Sequence, residues 1–413
     1  MREILLGKLV KDVLMKLTKP LVYSFLFYAS GICSLLVADL YIAANFTKQL
    51  VANWAFYKST IMILGSLCLM GYDQVLVRNP SILARLNKSF VLQSVIISMI
   101  GSIAIFIVRE GALNSYLLLT VNVFLFALVL YLSAIFRANN KLIAAQLTTN
   151  GWKIILLLLI VAPTIEDPAL WFAIALFTIT MLSLVFFGKQ LTHLDNIKES
   201  LDNPRVVGLL FLFHNLTLIF AIYGEQFLIN LFGDTDASYI LYMHFVVFTP
   251  VAISLNGFIG FYLGPKIRRI VNPTPKYFQK LQTKINYFSI VVTIISIVIG
   301  WFAFLIFFHE QEANIVIEIV IALGTLCYVR CLYIFPSTCL GVFADSTILL
   351  ATVKANWAFL GLFIASICIV LIQFDGLQAA SLISWFGAIH WTLRYLLARY
   401  FTKKVIEQKV QES

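Results

Sequence analysis

The stretch Phe90–Val108, FVLQSVIISMIGSIAIFIV, runs for 19 residues without an ionisable side chain. A helix rising ~1.5 Å per residue needs about 20 mainly apolar residues to cross the hydrocarbon core of a bilayer. Barrel strands would be about half as long and would alternate in polarity, which this stretch does not do. Comparable runs lie near 21–42, 51–71, 116–136, 143–163, 168–188, 207–231, 239–262, 287–308, 315–336, 348–372 and 377–398. The chain as a whole is 61% apolar and 12% charged, with a mean hydropathy of +0.93. Soluble domains carry about a quarter charged residues. The expected class is an all-α polytopic membrane protein with about twelve spans.

The net charge of +10 is distributed in a way that speaks against nucleic acid as the partner. Lys and Arg gather in alternate loops: Lys8 to Lys19, Arg78 to Lys88, Arg137 and Lys141, Lys189 to Arg205, Lys266 to Lys284, and Arg399 to Lys409. The intervening loops hold only Lys48 and Arg109 beside Glu110, Glu166, Asp167, Asp234, Asp236, Glu310 and Glu312. Basic loops stay in the cytoplasm, so an even number of spans with both ends inside is expected. The loop near 341–347 lacks basic residues, and its placement rests on counting. Residues 1–19 read as a basic amphipathic helix on the inner membrane face, not as a cleavable signal. Cys33, Cys68, Cys327, Cys331, Cys339 and Cys368 all lie in apolar runs, which points to structural thiols and no metal site. No cofactor is expected. No G-x-x-x-x-G-K-[ST] loop occurs, and this excludes nucleotide hydrolysis through that motif.

The halves of the chain resemble each other. Phe136–Trp152, FRANNKLIAAQLTTNGW, and Phe343–Trp357, FADSTILLATVKANW, each follow a long run with a Tyr (Tyr131, Tyr333) and lead into the next. Asp39 and Phe46 fall opposite Glu225 and Phe232, and Gly71 falls opposite Gly257. The expected domains are therefore an N-terminal six-helix bundle at 20–188, a cytoplasmic linker at 189–206, a C-terminal six-helix bundle at 207–400 and a tail at 401–413. Two such bundles around a central cavity are a recurring transporter plan with alternating access.

At the end of the second run stands Gly71-Tyr72-Asp73-Gln74-Val75-Leu76-Val77-Arg78. It resembles the G-x-D-Q-x-x-x-R signature of Wzx-type polysaccharide flippases, within the multidrug/oligosaccharidyl-lipid/polysaccharide (MOP) exporter superfamily. Chain length, the basic start and the stretch Gly233–Tyr239 are similar as well. The resemblance implies translocation of an undecaprenyl-pyrophosphate-linked oligosaccharide between leaflets of the bacterial inner membrane, for O-antigen or related surface polysaccharide. It also implies contacts with membrane lipids and with the polymerase and chain-length proteins of that pathway. A multidrug or metabolite antiporter shares the two-bundle plan and stays open. So does a membrane polymerase or glycosyltransferase, although the expected outer loops are short. Asp234-Thr235-Asp236 imitates a glycosyltransferase metal motif but falls in one of those outer loops.

A charge inside a span costs at least about 2.5–3.5 kcal/mol, so each one invites a role. A lipid diphosphate needs cations, with Arg suited to bidentate contacts and Lys to a point charge. Arg330, deep in the tenth run, is the first candidate, with a structural ion pair as the alternative. Lys58 and Lys354 lie where they reach either a cavity or an interface, Lys153 lies at an entrance, and Arg394 is expected at an interface. Asp39 and Glu225, at equivalent places in the halves, are candidates for proton coupling or for pairing a cavity cation. His214 and His244 are candidates for coupling through their near-neutral pKa, against the alternative of a satisfied buried His. Asp73 and Arg78 are candidate gating residues, against simple anchoring. Tyr41, Trp54, Trp171 and Trp301 are expected in interfacial belts.

Overall fold

The structure, a computed structural model, describes residues 19–78, 83–109, 113–162, 167–188, 204–268, 274–308 and 315–412. The expected N-terminal amphipathic helix, most of the 189–206 linker and the Arg78 side chain lie outside the described residues.

Fourteen helices make up the described chain. They are α1 (Lys19–Asn45), α2 (Lys48–Cys68), α3 (Tyr72–Arg78), α4 (Leu83–Arg109), α5 (Leu113–Ala138), α6 (Leu142–Val161) and α7 (Pro168–Phe187), then α8 (Pro204–Phe232), α9 (Thr235–Phe248), α10 (Pro250–Arg268), α11 (Pro275–Phe307), α12 (Ile317–Phe343), α13 (Ser346–Gln373) and α14 (Gly376–Glu412). Every apolar run of the sequence falls in this series. Among the described residues nine helices are long and apolar enough to cross a membrane, and the bent pair α9–α10 makes a tenth. The chain is thus a multi-pass helical membrane protein. The second and twelfth runs, α2 and α14, are the more polar ones. Their Ser59, Thr60, Ser384, His390 and Arg394 are buried, so these groups face protein rather than lipid.

Two runs are broken, each for a local reason. Between α2 and α3, Met70 and Gly71 adopt left-handed backbone, with φ of 49° and 72°. A Cβ on Gly71 would run into the carbonyl oxygen of Gly208 on α8, so the turn needs both the freedom and the smallness of glycine. Between α9 and α10 the axis bends by 55°. Pro250 removes an N–H and crowds the preceding residue, which ends α9 at Phe248.

The helices form two compact units. Unit 1 comprises Met1–Ala38 and Leu64–Leu212, and unit 2 comprises Asp39–Ile63 and Phe213–Ser413. The segment 39–63, which the sequence assigns to the first bundle, groups by contact with unit 2. In unit 1, α5 is the hub and packs on α7, α4 and the post-break helix α3. In unit 2, α12 is the hub and packs on α14, α11 and the post-break helix α10. The fourth run of each half therefore meets the sixth, the third and the broken end of the second, as an internal duplication would produce.

Burial separates hub from periphery. The most apolar stretch of α12 is 72% buried and that of α5 is 67%, against 22% for both α4 and α11. The peripheral pair turns Leu92, Ile107, Val291 and Ile306 outward, a face suited to acyl chains. Two expectations fail here. Trp54 and Trp171, expected in interfacial belts, are both 0% exposed. Their large rings gain more from packing in the units than from the headgroup region.

Candidate functional site

Asp39, on α1, is the centre of a hydrogen-bonded cluster in unit 2. Trp54 and Lys58 are one helical turn apart on α2 and so share a face. The Trp54 indole N–H donates to Asp39 Oδ1 at 2.9 Å, and the Tyr242 hydroxyl of α9 donates to the same oxygen at 2.7 Å. Lys58 Nζ donates to Oδ2 at 2.6 Å, as an ion pair whose side chains are 15% and 10% exposed. The Lys58 ammonium also lies 5.4 Å from the centre of the Tyr242 ring. Three donors thus converge on one carboxylate, with Lys58 as its charged partner. Truncating one member of such a buried pair costs about 3–5 kcal/mol, because the other charge is left alone.

A second cluster joins α8, α12 and α14 in the same unit. The Arg330 guanidinium sits 4.9 Å from the Trp391 ring centre, and that of Arg394 sits 5.7 Å from it. Arg394 also lies 5.6 Å from the Tyr333 ring, which meets Trp391 edge-on at 5.5 Å. Desolvated contacts of this kind are worth about 2 kcal/mol each. α14 is tied to α8 by two bonds onto backbone carbonyls: Trp391 Nε1–H to Ala221 at 2.8 Å, and Arg394 Nη1–H to Thr217 at 3.0 Å. Glu225 is buried against Gly387, where any larger residue would strike its carboxylate, and it lies within electrostatic reach of Arg330. Tyr223 is within electrostatic reach of both Arg330 and Asp39.

The placement of Arg394 corrects the interfacial expectation. Its side chain is 0% exposed, and its Nε and Nη2 have no hydrogen-bond partner among the described residues. Aromatic faces replace water around the guanidinium, which an apolar-run analysis does not register. Glu225 Oε2 and both nitrogens of His390 likewise have no hydrogen-bond partner.

The remaining candidates scatter. Lys153, in unit 1, donates to Asn150 Oδ1 at 2.7 Å and is half-buried. Lys354 is exposed on α13. His214 is half-buried on α8 within reach of Arg394. His244 has a backbone role instead. Its Nε2 accepts the Val316 N–H at 3.0 Å, so its Nδ1 carries the proton and donates to the Ile240 carbonyl at 2.8 Å. Both nitrogens serve to cap α12 and to brace α9. Asp73 is buried, accepts from Gln74 at 2.9 Å, and has Arg137 as its charged neighbour.

The structure thus bonds Asp39 to Lys58 and places Glu225 within electrostatic reach of Arg330, while Lys354 lies exposed on α13 and Lys153 belongs to unit 1. Sequence reading missed Trp54, Tyr242, Trp391 and Arg394 as members of these clusters. The i,i+4 spacing of Trp54 and Lys58, and of Trp391 and Tyr395 around Arg394, was the signal available. Among the described residues no group of His, Cys, Asp and Glu is arranged to hold a metal.

Solved structures share this fold. A crystal structure of a MATE protein in complex with MaL6 aligns with a TM-score of 0.57 at 12% identity, over 93% of this chain and 95% of that one. An outward-facing multidrug resistance MATE family transporter of the MOP superfamily aligns with a TM-score of 0.52 at 14% identity, over 94% of this chain and 96% of that one. No protein-family model and no curated protein matches the sequence. The fold is MATE-like.

Proposed function

We propose, from a MOP-type transporter fold with paired cations in its interior, that this chain flips an undecaprenyl-pyrophosphate-linked oligosaccharide from the cytoplasmic to the periplasmic leaflet. Twelve spans with both ends inside, in a bacterial inner membrane, belong to the same reading. The observation that carries it is the Lys58–Asp39 pair. An ammonium held by a carboxylate inside an apolar protein is poised for anion exchange. Protonation of Asp39 releases Lys58 to a diphosphate oxygen, and loss of the proton recaptures Lys58 and expels the anion. Coupling of substrate to protons follows from that exchange alone.

The other cations have graded roles. Lys153 and Lys354, the more accessible ones, attract the diphosphate, and Lys58 holds it. Arg330, balanced by Glu225 and stacked on Trp391, takes the diphosphate's charge in the state where that stack opens. His214, within reach of Arg394, relays protons in the same unit. Asp73, with Arg137 beside it, and Arg78 act on the gate at the broken second run.

The test is deletion of the gene with a lipid-linked repeat-unit assay. Accumulation of the unit on the cytoplasmic face is expected, rescued by the wild type and not by Lys58→Ala. Unchanged surface polysaccharide in a strain without a paralogue would sink the reading. A drug-antiporter reading is favoured by one observation, the fold shared with a multidrug resistance transporter. Against it stand the buried Arg330 and Arg394 of unit 2, whose charge would repel a cationic drug. Energised efflux of organic cations by the purified protein would reverse that judgement. The transporter fold disfavours the polymerase reading.

A further inference from the structure

Unit 2 contains a cavity of about 460 Å³, with a mixed apolar and polar lining, that neither charged cluster uses. It opens between α11, α12 and α14, and its size falls in the range of about 300–1,000 Å³ usual for small-molecule sites. Helices in lipid normally close such a seam with apolar or small side chains. Here α11 supplies Gln282, Thr283 and Asn286, and α14 supplies Thr392, Tyr395 and Arg399.

Two bonds organise the wall. The Tyr328 hydroxyl donates to Asn286 Oδ1 at 2.5 Å, and Gln282 Nε2–H donates to the Tyr395 oxygen at 3.4 Å. Those bonds leave a defined set of unfilled valences. Gln282 Oε1 is a buried acceptor without a donor. Arg399 is exposed and makes no ion pair among the described residues. An occupant must therefore present an anion to Arg399 and at least one hydroxyl or ammonium donor to Gln282.

The surroundings identify its source. Lys280 and Lys284, flanking Gln282 and Thr283 on α11, stand exposed, as do Lys403, which pairs with Glu407, and Lys404, about one turn beyond Arg399 on α14. Basic mouths between spans attract anionic headgroups. Above them the flank of α11 exposes Ile290, Val291 and Ile294, and α14 exposes Leu396, an apolar surface fit for acyl chains. We propose that this cavity is a binding site for an anionic phospholipid with a hydroxylated headgroup, with the phosphate on Arg399 and a headgroup hydroxyl on Gln282 Oε1.

The site is independent of translocation, and so is its test. Full-length protein in detergent is titrated with phosphatidylglycerol, phosphatidylcholine or glycerol 3-phosphate, and bound species are counted by native mass spectrometry. Phosphatidylglycerol is expected to be retained in preference to phosphatidylcholine. Arg399→Ala and Gln282→Leu are each expected to weaken its retention about tenfold, the scale of one charged hydrogen bond. Thr283→Trp, which fills the cavity from its exposed side, is expected to abolish retention, and Arg399→Lys to restore part of it. Monodisperse elution of each variant controls for folding. Equal retention of both lipids, or retention unchanged in all three weakening variants, overturns the proposal. Arg399-dependent binding of glycerol 3-phosphate without lipid preference also overturns it, by assigning the cavity to a soluble phosphate ester.

Discussion

Trp54 and Tyr242, from two different helices, meet on a single oxygen, Asp39 Oδ1, at 2.9 and 2.7 Å. The other oxygen is thereby reserved for Lys58. The carboxylate is shared between what holds it in place and what it holds, and this division separates structural from functional substitutions.

Asp39→Ala is expected to lower stability by about 3–5 kcal/mol, since it strands the Lys58 ammonium. The double variant Asp39→Asn, Lys58→Met removes both charges and is expected to regain most of that loss while remaining inactive. Thermal unfolding in detergent, read beside a repeat-unit assay, measures both. A double variant no more stable than Asp39→Ala would show that the pair is not coupled.

Tyr242→Phe deletes one donor to a charged acceptor and leaves the ring under Lys58. A cost of about 1.5–3 kcal/mol is expected, with insertion and fold retained. Comparison with Trp54→Phe, which removes the other donor and some volume, should rank the Trp54 variant as the more damaging of the two.

The Trp391 cluster predicts different outcomes for its two arginines. Arg394→Met loses two ring contacts and the bond to Thr217 but also relieves the desolvation of a buried charge, so a change within about 1 kcal/mol is expected. Arg330→Met leaves Glu225 without its nearby cation and is expected to destabilise and to abolish complementation. Equal melting temperatures for the two variants would contradict this account.

Gly71 and Gly376 both have positive φ, at 72° and 53°. Alanine at either position carries about 1–2 kcal/mol of backbone cost. At Gly376 a Cβ meets open space, whereas at Gly71 it meets the Gly208 backbone. Gly71→Ala is therefore expected to lower expression and melting temperature markedly more than Gly376→Ala.

Apolar run length carried most of the fold, because it reflects the requirement that backbone polar groups be bonded within helices in lipid. Among the described residues each of the twelve runs from 21–42 to 377–398 falls on helix, two of them with a break. The break after Phe248 was hidden, since Pro250 sits inside an uninterrupted apolar run. The candidate site was legible as a set of charges but not as pairs. Asp39 and Lys58 stood out by being charged, yet their bond depends on how α1 folds back on α2. Trp54 and Arg394 were misplaced for one reason: a position near the end of a run says how deep a residue lies, not which side of the helix it occupies. Trp54 turns inward because Asp39 can accept its N–H. Arg394 turns inward because Tyr333 and Trp391 offer it their faces.

The bond from Trp54 to Asp39 has an optical consequence. An indole whose N–H is held by a carboxylate, with an ammonium one turn along the same helix, sits in a strong local field. Its emission wavelength and its indole proton resonance must shift when that carboxylate gains a proton or surrenders Lys58. In a chain with seven tryptophans, a variant retaining only Trp54 would carry its own reporter of the Asp39 charge state, readable without any label on substrate or lipid.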